Sequence, residues 1–394
     1  MQKKIKIGIL SMQRIYNYGS WLQAYGLKKL IEENRDVVVE FVDYYIEKPV
    51  YVNGEDTKKY IKQKIKVTLI DSIASVKWLS RLIPNLEFYQ TYRYRHEYWN
   101  QLGLTHKPNY TPELDILFIG SDEVFNCLQE NVRVGYSREL LGQNNKAKML
   151  ATYAASFGNT TMDKIEQYGK KKEISTYLKS FDFFSVRDTN TYNVISELTK
   201  KKTISNMDPV LMYDFRSELE NVRLSDKQKE LISKPYMIVY AYPNRLKESE
   251  IQKLRHFAEQ KGLKIYGISG YQSYADEMIY DSPLNILQYF KNAKYVVTDT
   301  FHGTIFSVIN NKPFVTIVRK SVNGSYGNQE KLEDLLVKLE LKDRFTFDGN
   351  DIVRILDTEI SYDKTNEIIS NERVKAKTYL AEVINEYRNR TIQK

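Results

Sequence analysis

The chain has 394 residues, a formal net charge of +9 and one cysteine, Cys127. That length exceeds what one hydrophobic core usually serves, so two domains are expected. One cysteine excludes an intramolecular disulfide and a cysteine-based zinc site, and no apolar run is long enough for a membrane-spanning helix or a secretory signal core, which points to a cytoplasmic protein.

The first strand is IKIGIL, residues 5–10, a nearly continuous apolar run of the kind buried in parallel sheets. A turn with Asn17, Gly19 and Ser20 then opens a helix to about Asn34, and VVVEFVDYY at 37–45 reads as a second strand. Strand, helix and strand make one parallel crossover unit. Residues 57–106 interrupt the rhythm: nine Lys or Arg stand against three Asp or Glu, on two predicted helices near 58–82 and 86–101 rich in Trp and Tyr. This reads as an inserted basic helical element, either a hairpin with an aromatic core and solvated lysines or a contact for an anionic membrane surface.

Strands resume at 115–120, 149–156 and 181–187, with helical stretches near 161–180 and 188–200. The pattern breaks around Met207, Asp208 and Pro209, and a polar stretch from Asp214 to Lys234 follows. A second alternation then predicts strands at 236–242, 264–268, 295–299 and 313–318, with helices at 247–261, 283–292 and 302–311. The expected architecture is α/β: two Rossmann-like domains facing a cleft, at 1–212 with the insertion and at 213–363. A helix at 364–394 can pack back on the first domain.

Ligands of open parallel sheets bind beyond the carboxyl ends of the strands, so the strand-to-helix turns are the candidates. In TDTFHGT at 298–304, His302 and Gly303 lie where a strand gives way to a helix, whose unpaired N–H groups attract an anion. His302 can exchange a proton there or simply cap the helix. After the third strand, GSDEVFN at 120–126 supplies Ser121, Asp122 and Asn126, with Asp122 either a base for a sugar hydroxyl or a turn cap. Arg187 in SVRD at 185–188 carries a planar fork of donors suited to carboxylate or phosphate, or to a structural partner such as Asp188 or Asp208. His96, His106 and His256 lack metal-ligand spacing, no Gly-rich nucleotide motif occurs, and no nucleic-acid-binding module is present; no metal, cofactor or nucleic acid is expected.

Together NYGSWLQAYGL (17–27), GSDEVFN (120–126), YAASFG (153–158), SVRD (185–188), MDPV (207–210) and TDTFHGTIFSVINNKPFV (298–315) resemble the polysaccharide pyruvyl transferases. The resemblance implies a fold similar to GT-B glycosyltransferases and transfer of the pyruvyl group of phosphoenolpyruvate onto a sugar as a ketal. The sugar belongs to a capsule, exopolysaccharide or cell-wall polymer and can be lipid-linked. The resemblance makes His302 and Asp122 catalytic. It gives substrate binding to Arg187, Asn17, Gly19, Ser121, Asn126, Thr300, Phe301, Gly303 and Thr304. Where the family carries an arginine two residues before this histidine, the chain has Thr300, which leaves Arg14 and Arg319 as substitutes for a second donor-binding cation. A glycosyltransferase using a nucleotide sugar, and a sugar-binding protein without turnover, are the rival expectations.

Overall fold

The computed structural model describes residues 4–52, 55–76, 86–319 and 329–392. The chain divides into two compact units, Met1–Tyr213 with Glu372–Lys394, and Asp214–Asn371.

In the first unit six strands form one parallel sheet: β1 (Ile5–Leu10), β2 (Val37–Phe41), β3 (Glu113–Asp122), β4 (Lys146–Ala155), β5 (Phe184–Val186) and β6 (Thr203–Ser205). Their order is β2-β1-β3-β4-β5-β6. The chain therefore moves outward from β1 to β2, then returns to the other side of β1 and continues through β3. Between β1 and β3 the winding reverses, and neighbouring turns diverge there to leave a crevice at the carboxyl ends. Ile7, Ile9, Ile116, Phe118 and Ile119 are buried at this centre, which explains why these strands read as unbroken apolar runs.

The inserted element begins with a helix, Glu55–Ala74. A second helix, Leu86–Arg93, passes through a wide turn at Tyr94–Tyr98 into Trp99–Leu102. Trp78 lies outside the described residues. Tyr94, Tyr98 and Trp99 turn inward: Trp21 Nε1 donates to the Tyr98 carbonyl at 2.9 Å, and Tyr16 stacks on Trp99 with ring centroids 5.9 Å apart. The insertion thus buttresses the turn that follows β1. Residues of the last helix, Asp363–Ile392, from Glu372 onward lie against the first unit, where Tyr379 Oη donates to the Thr152 carbonyl at 2.8 Å and Arg390 pairs with Asp182 at 2.7 Å.

The second unit repeats the plan with β7 (Tyr236–Tyr240), β8 (Lys264–Ile268), β9 (Glu277–Met278), β10 (Tyr295–Thr298), β11 (Phe314–Ile317) and β12 (Phe345–Thr346). The order is β12-β11-β10-β7-β8-β9, so the winding reverses between β7 and β10. The polar stretch 214–234 is not a bare linker. It folds as two short helices, Arg216–Asn221 and Asp226–Ser233, the second opened by a Ser225–Gln228 capping box.

Candidate active site

At the reversal of the first unit, β1 and β3 end side by side. Asn17 has extended backbone and accepts from the N–H groups of Gly19 at 2.8 Å and Ser20 at 3.2 Å, capping the helix Tyr18–Glu32. Ser20 Oγ reaches Asp122 Oδ2 at 3.3 Å, and Ser11 Oγ donates to the Ser121 carbonyl at 2.9 Å, so the two turns are tied together. Gly120 (φ 125°) and Asp122 (φ 82°) both hold left-handed backbone. A Cβ on Gly120 would run into the Tyr153 carbonyl on β4, so only glycine fits there. The Asp122 carboxylate also accepts from the Glu123 N–H at 3.0 Å, and a strained non-glycine residue of this kind is a mark of functional sites.

Arg187 leaves the end of β5 and is almost fully buried. Its Nη1 donates to Asp208 Oδ2 at 3.1 Å, and its Nη2 lies 3.6 Å from Asp122 Oδ1. Gln23 Nε2 completes the cluster by donating to Ser121 Oγ at 2.8 Å and Asp208 Oδ2 at 3.0 Å. Burial opposes the charge on Arg187, but Asp122, Asp208, Asp188 and Glu123 outweigh it and hold the guanidinium more firmly protonated than usual. Asp208 is the structural partner; Asp188 instead caps the next helix through Thr191 N at 2.8 Å. Asn126 stands apart from this group. Its amide is spent on Glu123 (2.9 Å), Leu128 N (3.0 Å) and Thr160 (3.0 Å), which shape the loop after β3.

At the reversal of the second unit the helix Phe301–Ile309 starts directly after β10. Thr300 is its N-cap and accepts from Gly303 N at 2.9 Å, while its Oγ1 also bonds Thr298 Oγ1 at 3.0 Å. Thr304 is buried and bonds Thr316 Oγ1 at 2.9 Å, so Thr300 and Thr304 both serve the junction itself. A Cβ on Gly303 would come within 2.7 Å of Thr300 Oγ1 and 2.8 Å of Tyr240 Cδ1, and the close packing of helix on strand depends on that glycine. His302 lies in the first helical turn, half-buried, with its ring edge-on to Phe301 at 5.4 Å and tilted against Phe306 at 6.1 Å.

One residue before that cap, Asp299 is fully buried, and its burial pushes the carboxyl up to about 6, against the opposing pull of Arg245, the Tyr242 N–H and Arg319. Neither Asp299 nor Arg245 stands out in the sequence as a site residue, and both matter here. Arg245 comes from the turn after β7 and brings Nη1 to 3.6 Å from Asp299 Oδ2. The two cations proposed from sequence are otherwise engaged. Arg14 grips Asp43 through Nε and Nη2 (the latter at 2.8 Å), and Arg319 grips the buried Glu250 at 2.9 Å and 2.6 Å. Among the described residues no group of three or more His, Cys, Asp or Glu is arranged to hold a metal ion.

Two units, each a six-stranded parallel sheet with its polar residues at the point of reversed winding, give an α/β fold similar to the GT-B type. The chain is similar in fold to a putative UDP-N-acetylglucosamine 2-epimerase from Listeria monocytogenes, at 10% identity and a TM-score of 0.52, covering 98% of this chain and 97% of that one. A second UDP-N-acetylglucosamine 2-epimerase aligns at 9% identity and a TM-score of 0.50, over 99% and 97% of the two chains. No protein of curated function matches the sequence. The model of the polysaccharide pyruvyl transferase family matches residues 17–321, a span that holds Asn17, Asp122, Arg187 and His302, and the chain belongs to that family. It is therefore a transferase of polysaccharide biosynthesis.

Proposed function

We propose that the enzyme takes the pyruvyl group from phosphoenolpyruvate and closes it as a ketal on two hydroxyls of a sugar destined for a capsule, exopolysaccharide or cell-wall polymer. The chemistry needs one proton delivered to C3 of the enol and two removed from the attacking hydroxyls. Protonation at C3 leaves C2 electron-poor, and the first sugar oxygen bonds to it. The C2–O bond to phosphate then breaks, phosphate departs with the bridging oxygen, and the second sugar oxygen takes its place. Donor and diol become ketal and phosphate without water.

In this reading His302 gives the proton to C3 and later recovers one, and Asp122 accepts a proton from a sugar hydroxyl. Arg187 holds the donor carboxylate: Asp208 keeps one arm of the guanidinium fixed, while the 3.6 Å separation from Asp122 is too long for a hydrogen bond and can be opened by a stronger anion. Asn17, Gly19 and Ser121 form the wall against which a sugar lies. Thr300, Phe301, Gly303 and Thr304 set the helix start that presents His302 and its N–H groups. Asn126 acts through the loop it shapes. The observation that carries the reading is His302 in the first turn of a helix at a reversal point, within three residues of the buried Asp299. Purified His302→Ala should release phosphate from phosphoenolpyruvate plus acceptor some 10²- to 10⁴-fold more slowly than the wild type. Equal rates would remove His302 from the chemistry. Consumption of a nucleotide sugar with no response to phosphoenolpyruvate would favour glycosyl transfer instead.

The acceptor is lipid-linked and the enzyme touches the anionic face of a membrane. No helix among the described residues is long and apolar enough to cross one. The helix Glu55–Ala74 supports peripheral contact, since it buries Tyr60, Ile70 and Ala74 on one side and turns Ile61 (45% exposed), Ile65 (56%) and Leu69 (58%) outward on the other. Five lysines and no acid accompany that stripe over residues 57–70. Such a face lays apolar side chains into an interface while lysine stems reach the headgroups. Co-sedimentation with anionic but not neutral vesicles, lost in Ile65→Ser/Leu69→Ser, is the expected result.

A further inference from the structure

We propose that Arg245 is the cation that receives the phosphate of the donor in the second unit, forming an anion subsite with the first turn of the helix Phe301–Ile309. The inference rests on the transfer reading above and adds a binding residue that neither the sequence motifs nor the family match designates.

The topology comes first. Reversed winding between β7 and β10 brings two turns together at the carboxyl ends, and both turns of such a pair normally face the ligand. In the second unit the β10 turn supplies His302, and the β7 turn, Tyr242–Arg245, supplies Arg245. The same logic holds in the first unit, where the β1 turn supplies Asn17 and the β3 turn Asp122.

Charge comes second. Phosphoenolpyruvate carries a carboxylate and a phosphate, so it needs cationic groups that are not already neutralised. Arg14 is spent on Asp43 and Arg319 on Glu250, and Arg187 is bracketed by Asp208 and Asp122. Thr300, the cap on the β10 side, has a hydroxyl committed to Gly303 N and brings no charge. Arg245 differs from these arginines. Its side chain is 47% exposed, its guanidinium lies 4.7 Å from the centre of the Tyr242 ring, and its 3.6 Å approach to Asp299 is longer than a hydrogen bond.

The third point is support. Arg319 Nη2 donates to the Arg245 carbonyl at 3.0 Å while the same guanidinium grips Glu250, whose Oε2 also accepts from Lys247 N at 2.8 Å. The backbone of the turn is thereby fixed, and the Arg245 side chain projects from a rigid base. A phosphate offers doubly charged, fork-matched oxygens that outcompete the carboxylate of Asp299, which burial already biases towards its neutral form.

The test uses the full chain as wild type, Arg245→Gln, Arg245→Lys and, as a surface control in the same unit, Arg354→Gln. Calorimetric binding of phosphoenolpyruvate and of inorganic phosphate is measured beside KM and kcat for the donor, with Tm as the check on folding. Loss of a charged hydrogen bond corresponds to a weakening of about tenfold or more. The expected result is that Arg245→Gln raises Kd and KM for phosphoenolpyruvate by at least that factor with a smaller fall in kcat and an unchanged Tm. Arg245→Lys should recover part of the affinity, and Arg354→Gln should match the wild type. Wild-type Kd and KM in Arg245→Gln would overturn the inference and leave the donor reading standing. A wild type that binds inorganic phosphate but ignores phosphoenolpyruvate would sink the donor reading; Arg245 would then stand if Arg245→Gln lost phosphate binding and fall if it did not.

Discussion

The two reversal points use the same backbone device with opposite electrostatics. In the first unit Arg187 is buried and locked between carboxylates, with Gln23, Ser20 and Ser121 closing the network. In the second, a buried carboxyl, Asp299, is raised by desolvation, and Arg245, which approaches it, is half in solvent. A locked network organises a surface for binding, whereas a carboxyl shifted towards neutrality leaves the exposed cation next to it open to an anion. Removing the arginine of the first arrangement should cost structure as well as activity, and removing that of the second should cost activity with little loss of structure.

The sharpest way to break that contrast is to remove each arginine in turn. Arg187→Met should cost about 3–5 kcal/mol in chemical denaturation, because Asp208 would keep a buried charge without its counter-ion. Arg245→Ala should lower stability by less than about 1 kcal/mol, as expected for a partly exposed pair, while still weakening donor binding. Equal losses in stability would erase the distinction.

Next in size is the pH response of Asp299. Its carboxyl lies at about 6 in the folded unit against an ordinary 3.8, so between those values the unfolded chain releases a proton that the folded one retains. Its contribution is present in full below about pH 4 and is lost as the pH rises through about 6, amounting to about 3 kcal/mol. Asp299→Asn should therefore flatten the stability-versus-pH curve over that window relative to wild type, and an unchanged slope would refute the assignment. Smaller again is Gly303→Ala, for which overpacking against Thr300 and Tyr240 should cost about 1–3 kcal/mol and lower activity by shifting the helix that bears His302. An active variant of normal Tm would show that the junction tolerates movement.

Much of this architecture is legible in the chain itself. IKIGIL, KIYGI and the helix opened by Ser282 and Pro283 are read to the residue, because an apolar run or a capped helix states its own bounds. The edge strands Thr203–Ser205, Glu277–Met278 and Phe345–Thr346 escape, since two or three residues carry no periodicity and become strands only by pairing with a neighbour. Ser225 and Gln228 did carry a local signal, a capping box, in a stretch that otherwise looks like linker. The site divides in the same way. His302, Asp122 and Arg187 sit in recognisable turns, but that Arg14 and Arg319 are neutralised, and that Arg245 reaches Asp299 across 54 positions of sequence, follows only from how the strands are ordered.

The central claim is the transfer itself, and mass spectrometry tests it most directly. The wild-type enzyme, given phosphoenolpyruvate and a panel of lipid-linked and aryl glycosides, should add to one of them the mass of pyruvic acid less one water while releasing one phosphate per product. Release of phosphate with no modified sugar, or a sugar product formed only from a nucleotide-sugar donor, would contradict the account.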